Sequence, residues 1–265
     1  MPHAKKMIEE KGKDGLVAIM IECGGKTPAA DVPAFLAQRF PGAGFWSTLE
    51  QPFRGADQGN TNPFAFLIGA DGTMLWQGNP NGAVKKVEEL IDAELKKIKT
   101  GWGASPEIKK ARMQMHFKGA LGEAGVTLTG AEANLKETAK EDHAAAKAEL
   151  ETIYAALKKG VENATLENRY ADADRQAKAL AKAVKGQSDW ETEVKAIVES
   201  MSAPDVAKEV KLSLAIEKAY HSNGDKAPTA DVAKKLRDIA KKNADAKSSA
   251  YAERLAKYAE FQVAR

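Results

Sequence analysis

Two stretches in the first hundred residues carry the hydrophobic pattern of β-strands. Residues 16–21 read Leu-Val-Ala-Ile-Met-Ile, and six apolar positions in a row predict a strand buried on both faces, as in a parallel sheet. Residues 64–68 are also apolar throughout, Asp71-Gly72 is a two-residue turn signal, and residues 74–76 (Met-Leu-Trp) follow it. The pattern therefore predicts one buried strand and a separate β-hairpin.

Helical patterns lie between and beyond these strands. Residues 4–10 form a short helical pattern, Asp31 caps a second one that extends to about Arg39, and residues 45–46 form a short extended piece. Residues 83–99 place a single apolar stripe at spacings of three and four: Val84, Val87, Ile91, Leu95 and Ile98. The predicted order is helix, strand, helix, hairpin, helix.

The rest of the chain is rich in Ala and Lys and shows helical patterns only. Residues 100–106, Thr-Gly-Trp-Gly-Ala-Ser-Pro, combine helix-stopping glycines with a Ser-Pro helix start and separate a domain at 1–100 from one at 101–265. The predicted helices of the second domain are 106–121, 131–159, 166–184, 189–201, 204–221, 230–243 and 246–263. They predict a bundle of helical hairpins or an irregular helical repeat.

Composition and charge narrow the function classes. The formal net charge of +3 is small beside 40 basic and 37 acidic side chains, so we expect neither a nucleic acid nor an anionic membrane as partner. No apolar run approaches the ~18 residues of a membrane span. The single cysteine, Cys23, excludes an internal disulfide framework, and His116, His143 and His221 lack metal-ligand spacing. We therefore expect no cofactor and no metal.

Several motifs of the first domain occur in the same order in a known family. Residues 1–10 (Met-Pro-His-Ala-Lys-Lys-Met-Ile-Glu-Glu) and 15–19 (Gly-Leu-Val-Ala-Ile) resemble the active-site helix and the next strand of TlpA/ResA-like (redoxin) thiol–disulfide oxidoreductases. Residues 61–72 (Thr-Asn-Pro-Phe-Ala-Phe-Leu-Ile-Gly-Ala-Asp-Gly) are similar to the family's proline-led hairpin. The resemblance covers residues 1–99. It implies an N-terminally incomplete α/β thioredoxin-like fold, followed by the all-α helical domain.

The same resemblance implies a substrate groove. By it, Pro63 is the cis-proline that faces the reactive cysteines, and Thr61 and Asn62 precede it in the groove. Cys23 ends the predicted strand before Gly24-Gly25, so it is either a thiol that forms mixed disulfides or a small, unreactive, half-buried residue. Weaker candidates, each with an ordinary surface or packing role as the alternative, are His3, Glu22, Asp57, Trp46 and Trp76. Trp102 and Trp190 are predicted to anchor domain or helix contacts.

The family's Trp-Cys-x-x-Cys motif and the central strand before it do not precede residue 1. Without that strand, buried N–H and C=O groups would be unpaired, each at a cost of about 1–3 kcal/mol. Three explanations are open: Met1 is an internal methionine of a longer protein, the two predicted strands pair directly, or another chain or the helical domain covers the gap.

Two functions follow from these observations. The first is a thiol–disulfide oxidoreductase with a helical extension, whose reactive cysteines lie upstream and whose partner is a protein thiol or disulfide. The second is a catalytically inactive thioredoxin-like docking module with a helical protein-interaction domain; a purely structural helical protein is a third possibility. The expected localisation depends on the same question. We expect a cytoplasmic protein if the chain is complete. If a signal precedes it, we expect an exported protein, as members of the family usually are in bacteria.

Overall fold

A computed structural model describes the backbone of residues 2–22, 44–47, 64–223 and 228–263. The chain divides into two compact units, Met1–Lys118 and Gly119–Arg265. The elements of the first unit are α1 (Pro2–Lys11), β1 (Ile19–Glu22), β2 (Gly44–Ser47), β3 (Ala65–Ile68), β4 (Met74–Gly78), α2 (Val84–Thr100) and α3 (Pro106–Met113), which continues into a π-helical turn at Gln114–Lys118.

The predicted hairpin and the helix after it are confirmed. Strands β3 and β4 pair antiparallel, and the turn between them is closed by the Gly69 N–H, which donates to the Thr73 carbonyl at 2.8 Å. Gly72 has φ of 81°, a left-handed conformation that glycine adopts without steric cost. The hairpin therefore forms where the sequence predicts it, but its loop has three residues, Ala70, Asp71 and Gly72, rather than the predicted two.

The stripe of α2 forms the core of the first unit. Val87, Ile91 and Leu95 are buried, and Leu67 of β3 and Trp76 of β4 pack against them. Met7, Leu16, Ala83 and Ile98 complete the cluster. One face of a two-stranded hairpin thus lies against one helix, and Trp76 has the packing role rather than a groove role.

The expected α/β thioredoxin-like fold is wrong. Among the described residues, β1 pairs in parallel with β2, β3 pairs with β4, and neither pair joins the other, so no larger sheet forms. The chain is mostly helical. Strand β1 is also shorter than predicted, and it is not buried on both faces, since Val17 just before it is 78% exposed and Ile19 is 58% exposed. The apolar run at residues 16–21 favours extended backbone. Burial on both faces would also need neighbouring strands from distant parts of the chain, and the run itself does not specify them.

The second unit is helical throughout its described residues 119–223 and 228–263. Its helices are α4 (Leu121–Ala131), α5 (Glu137–Leu166), α6 (Tyr170–Ala183), α7 (Ser188–Met201), α8 (Pro204–Tyr220), α9 (Ala230–Lys242) and α10 (Ser249–Val263). The last five agree with the predicted spans to within four residues at each end. The predicted helix 31–39 lies outside the described residues.

Helix α4 is a correction. The sequence predicts one helix at 106–121 and a loop after it, because Gly122, Gly125 and Gly130 disfavour helix. The first helix instead ends before Gly119, whose φ is 62°, and α4 begins at Leu121. A Cβ on Gly122 would lie 1.8 Å from the Lys185 carbonyl oxygen. The glycines thus allow α4 to pack closely on the loop between α6 and α7, and tertiary packing outweighs helix propensity.

Two apolar clusters contribute to the core of the second unit. One is formed by small side chains of α5 and α6 with Met201 of α7, and Val206 of α8 packs on it. The other joins α8, α9 and α10 around Ile216, Leu236 and Leu255. Each helix contacts the next along the chain, and α8 also contacts α6 and α10. Whether this arrangement is a bundle of helical hairpins or an irregular helical repeat stays open, as it was from the sequence.

Candidate functional site

The four site residues named from the sequence lie outside the described residues. These are Cys23, Thr61, Asn62 and Pro63, and the side chains of His3, Glu22, Trp46 and Asp57 lie outside them as well. The groove that they would form therefore remains a prediction. The described residues instead bring together three other groups of polar and aromatic side chains.

The first group connects the hairpin turn to α2. The Ala70 N–H donates to Glu94 Oε2 at 2.9 Å, and Lys97 Nζ donates to Asp71 Oδ2 at 2.7 Å and to Glu94 Oε1 at 3.4 Å. The hydrogen bond from Lys97, and then that from the Thr73 N–H, lower the pKa of Asp71 to about 2. Burial disfavours the charged ammonium of Lys97 and by itself would lower its pKa. The carboxylates of Asp71 and Glu94 outweigh burial, so the pKa of Lys97 is raised. This group fixes the turn on the helix.

Trp102 extends this group toward α3. Lys97 Nζ and Arg112 Cζ each lie 5.4 Å from the centroid of the indole, within cation–π range, and the His116 ring lies 5.0 Å away. Arg112 Nη1 also donates to the Trp102 carbonyl at 3.3 Å, and Arg112 is only 6% exposed. Trp102 therefore anchors α2 to α3. The π-helical turn that places His116 here is a type of irregularity often found at functional sites.

The second group lies in the other unit, between α5 and α7. The rings of Tyr154 and Trp190 stack with centroids 4.1 Å apart and planes 6° apart. The Tyr154 hydroxyl and the Lys158 ammonium both donate to Glu193. Burial, and then the Glu193 carboxylate, raise the pKa of Tyr154, while the bonds from Lys158 and Tyr154 lower the pKa of Glu193. The phenol is therefore neutral, and the group holds the two helices together.

The third group is an ion-pair network around Tyr251 of α10. Arg175 donates to both oxygens of Glu217, at 2.8 and 3.1 Å, and Arg254 lies over the Tyr251 ring at 5.4 Å. Burial, and then the charge of Glu217, raise the pKa of Tyr251 to about 12. Arg169 pairs with Glu167 and Asp172 at the start of α6. The network involves side chains of α6, α8 and α10.

The three groups consist of ion pairs, hydrogen bonds and ring contacts that hold neighbouring elements together, and their role is structural. His143 Nε2 lies 2.8 Å from the Leu128 carbonyl oxygen, and His221 packs edge-on to Tyr220. Among the residues with described side chains, no three His, Cys, Asp or Glu form a cluster that could hold a metal ion. No described helix is both long enough and apolar enough to cross a membrane.

Exposed apolar side chains mark a different kind of surface on the second unit. Val126, Leu157, Leu166 and Leu214 are between 45% and 80% exposed. Leu166 is the last residue of α5, whereas Leu157 lies within α5, on the same face as its buried residues. The sequence analysis missed Leu157, although its spacing from Tyr154 and Val161 was readable.

Comparison of the chain with protein families, with curated proteins and with solved structures gave no match. Function is therefore inferred from the contacts and exposure of the chain's own residues.

Proposed function

We propose that the chain is a protein-binding module, and that its second unit binds a partner protein at Leu157 of α5. The observation that carries this proposal is an uncovered apolar position in a stripe that is otherwise buried. The proposal agrees with the docking function expected from the sequence and does not depend on a thioredoxin-like fold.

The stripe follows the helical repeat along the whole of α5. Its buried members are Ala139, His143, Ala146, Leu150, Tyr154, Val161 and Ala164. Successive spacings are three or four residues, except for the step of seven from Tyr154 to Val161. Leu157 falls in that step, three residues after Tyr154 and four before Val161, and it is 45% exposed. The helix thus presents one leucine of its core face to the surroundings.

Covering Leu157 would give a partner a measurable gain. Complete burial of a leucine side chain contributes about 1.5–3 kcal/mol, so burial of the exposed half contributes about 1 kcal/mol. Tyr154 lies one turn away from Leu157 on the same face, and its ring stacks on the partly exposed ring of Trp190. Tryptophan and tyrosine are the residues most enriched among those that dominate binding energy at protein interfaces. A leucine beside an aromatic stack is therefore a suitable anchor for an apolar side chain of a partner.

Site-specific photo-cross-linking in the native host tests this proposal. A photoreactive phenylalanine analogue replaces Leu157 in one variant and Ala155 in the control. Ala155 is also exposed but lies on the opposite side of α5. We expect one discrete cross-linked protein from position 157 and none from position 155, and we expect Leu157→Glu to weaken its binding to the purified chain. Equal cross-linking at both positions, or none at 157, would contradict the proposal.

The thiol–disulfide function is the second candidate, and it depends on residues outside the described ones. Cys23 is the one thiol of the chain, so this chain alone can form a mixed disulfide but cannot release the substrate by internal attack of a second cysteine. An insulin-reduction assay tests it: we expect no turnover from this chain. Turnover in a form that is extended upstream and carries a Cys-x-x-Cys pair would support it, and a Cys23→Ser control would show whether Cys23 takes part.

A further inference from the structure

We propose that Asn81 is a site of spontaneous deamidation, at the joint between the hairpin and α2. This inference is independent of the protein-binding function proposed above. It rests on the Asn81-Gly82 sequence, on the exposure of both residues, and on the weak hydrogen bonds of the turn that holds them.

The chemistry needs only water as a co-reactant. The backbone nitrogen of Gly82 attacks Cγ of Asn81, a C–N bond forms, and the Cγ–Nδ2 bond breaks. Nδ2 leaves as ammonia, taking up the proton that the Gly82 nitrogen loses. Water then adds to either carbonyl of the five-membered imide and opens the ring, which gives an aspartate or an isoaspartate at position 81. Asparagine is among the thermally labile residues, and glycine lacks the Cβ that would obstruct the attack.

The local geometry leaves this turn easy to open. Residues Pro80–Gly82 form a single 3₁₀ turn between β4 and α2. The Gly82 N–H donates to the Asn79 carbonyl at 3.3 Å, and the Ala83 N–H donates to the Pro80 carbonyl at 3.3 Å. Both distances are longer than the most common N···O distance of about 2.9–3.0 Å, so both hydrogen bonds are weak. The bond from the Asn81 N–H to Asn79 Oδ1, at 2.9 Å, is the shortest of the three.

The charges around the site give the modification a structural consequence. The first turn of α2 holds no acidic residue, and it carries the exposed Lys85 and Lys86 at the positive end of the helix dipole. A carboxylate at position 81 supplies the negative charge that this end of the helix favours. Both products carry this carboxylate, and an isoaspartate in addition lengthens the main chain of the turn by one methylene. The isoaspartate therefore alters the path of the chain between β4 and α2, whereas the aspartate changes only the charge.

Gly82→Ala is a matched control, because it keeps Asn81 and obstructs the attack. An added Cβ at position 82 meets no atom within 4 Å, and Gly82 does not have a positive φ, so the variant should fold normally. Asn134 is an internal comparator in the same chain. It is exposed and lies in a 3₁₀ turn as Asn81 does, but Leu135 follows it.

The experiment incubates the full chain and the Gly82→Ala variant in mildly alkaline buffer and follows each asparagine by tandem mass spectrometry of tryptic peptides. We expect an aspartate and an isoaspartate to accumulate at position 81 faster than at Asn134. We expect Gly82→Ala to slow the conversion about tenfold or more, which corresponds to a barrier higher by about 1.4 kcal/mol. Conversion at position 81 that is no faster than at Asn134, or that is unchanged in Gly82→Ala, would overturn the proposal.

Discussion

Ser213 of α8 gives the sharpest test of the packing in the second unit. Its side chain is fully buried, and its hydroxyl oxygen has no hydrogen-bond partner among the described residues. A serine in a helix usually donates to the carbonyl four residues earlier, here that of Glu209. That carbonyl already accepts two hydrogen bonds. One comes from the backbone N–H four residues later in the helix, and the other comes from the Ser248 hydroxyl at 3.3 Å. Both of its lone pairs are therefore in use.

Ser213→Ala should stabilise the second unit. A buried polar group without a partner costs about 1–3 kcal/mol, and a void the size of one oxygen atom returns part of that cost. We expect the free energy of unfolding to rise by about 1 kcal/mol, or Tm by about 2–4 °C for a unit of this size. Ser248→Ala is the matched control: the same residue type is equally buried, but its hydroxyl is hydrogen-bonded, so this variant should gain no stability and should lose at most about 1 kcal/mol, less where the Ser213 hydroxyl takes over the freed Glu209 carbonyl.

Urea unfolding followed by far-ultraviolet circular dichroism measures both variants and their combination. In the Ser248→Ala background the Glu209 carbonyl is open to the Ser213 hydroxyl, so Ser213→Ala should lose its stabilising effect there. The expected coupling is about 0.5–2 kcal/mol, within the range of residues that share a partner. If Ser213→Ala destabilises the chain as much as Ser248→Ala does, Ser213 has a partner and the reasoning is refuted.

Three further predictions concern backbone approach and ionisation. Gly122→Ala should lower the free energy of unfolding by about 1–3 kcal/mol, because the facing carbonyl must move, whereas Gly130→Ala in the same helix meets no atom within 4 Å and should raise it by about 0.5–1 kcal/mol; thermal unfolding distinguishes them. The pKa of Asp71, lowered from 3.8 to about 2, means that its pairing with Lys97 stabilises the fold above pH 3.8 and that this contribution is lost as the pH falls through about 2. Asp71→Asn should remove that part of the acid sensitivity, and a carboxyl titration by NMR that places Asp71 at its ordinary pKa would contradict it. The pKa of Tyr251, raised from 10 to about 12, means that the neutral phenol stabilises the fold below pH 10 and that this contribution is lost as the pH rises through about 12. Tyrosine ionisation can be followed by ultraviolet absorbance in the unsubstituted chain and in Tyr251→Phe. The variant should show one tyrosine fewer in the transition near pH 12.

Local signals account for the elements that the sequence predicted well. The hairpin depends on Asp71-Gly72 at its turn, and α2 depends on a stripe spaced by three and four residues, so both are set by neighbours along the chain. The expected thioredoxin-like sheet failed for the opposite reason. A run of apolar residues at 16–21 indicates extended backbone, but it carries no information on which distant segment pairs with it.

The candidate site was less predictable than the fold. Cys23 and Pro63 were named by resemblance and lie outside the described residues. Leu157 was not named, because apolar spacing alone predicts burial and does not show whether another helix covers the side chain. From the sequence, Ser213 likewise looks like an ordinary helical serine, but the structure shows that the Ser248 hydroxyl, in the turn between α9 and α10, already occupies its acceptor.

The sequence by itself determined the helical character of the chain after residue 100, the ends of most of the later helices, the position of the hairpin and the stripe that packs on it. Each of these is encoded within a few residues, through periodicity, caps and turn chemistry. Only the tertiary structure decided that the glycine-rich segment after Gly119 forms α4, that the two strand pairs stay separate, and that Leu157 is uncovered. The physical reason is the same in each case. Close approach, strand pairing and burial are properties of residues distant in sequence, and their free energies outweigh local propensities of about 1 kcal/mol or less per residue.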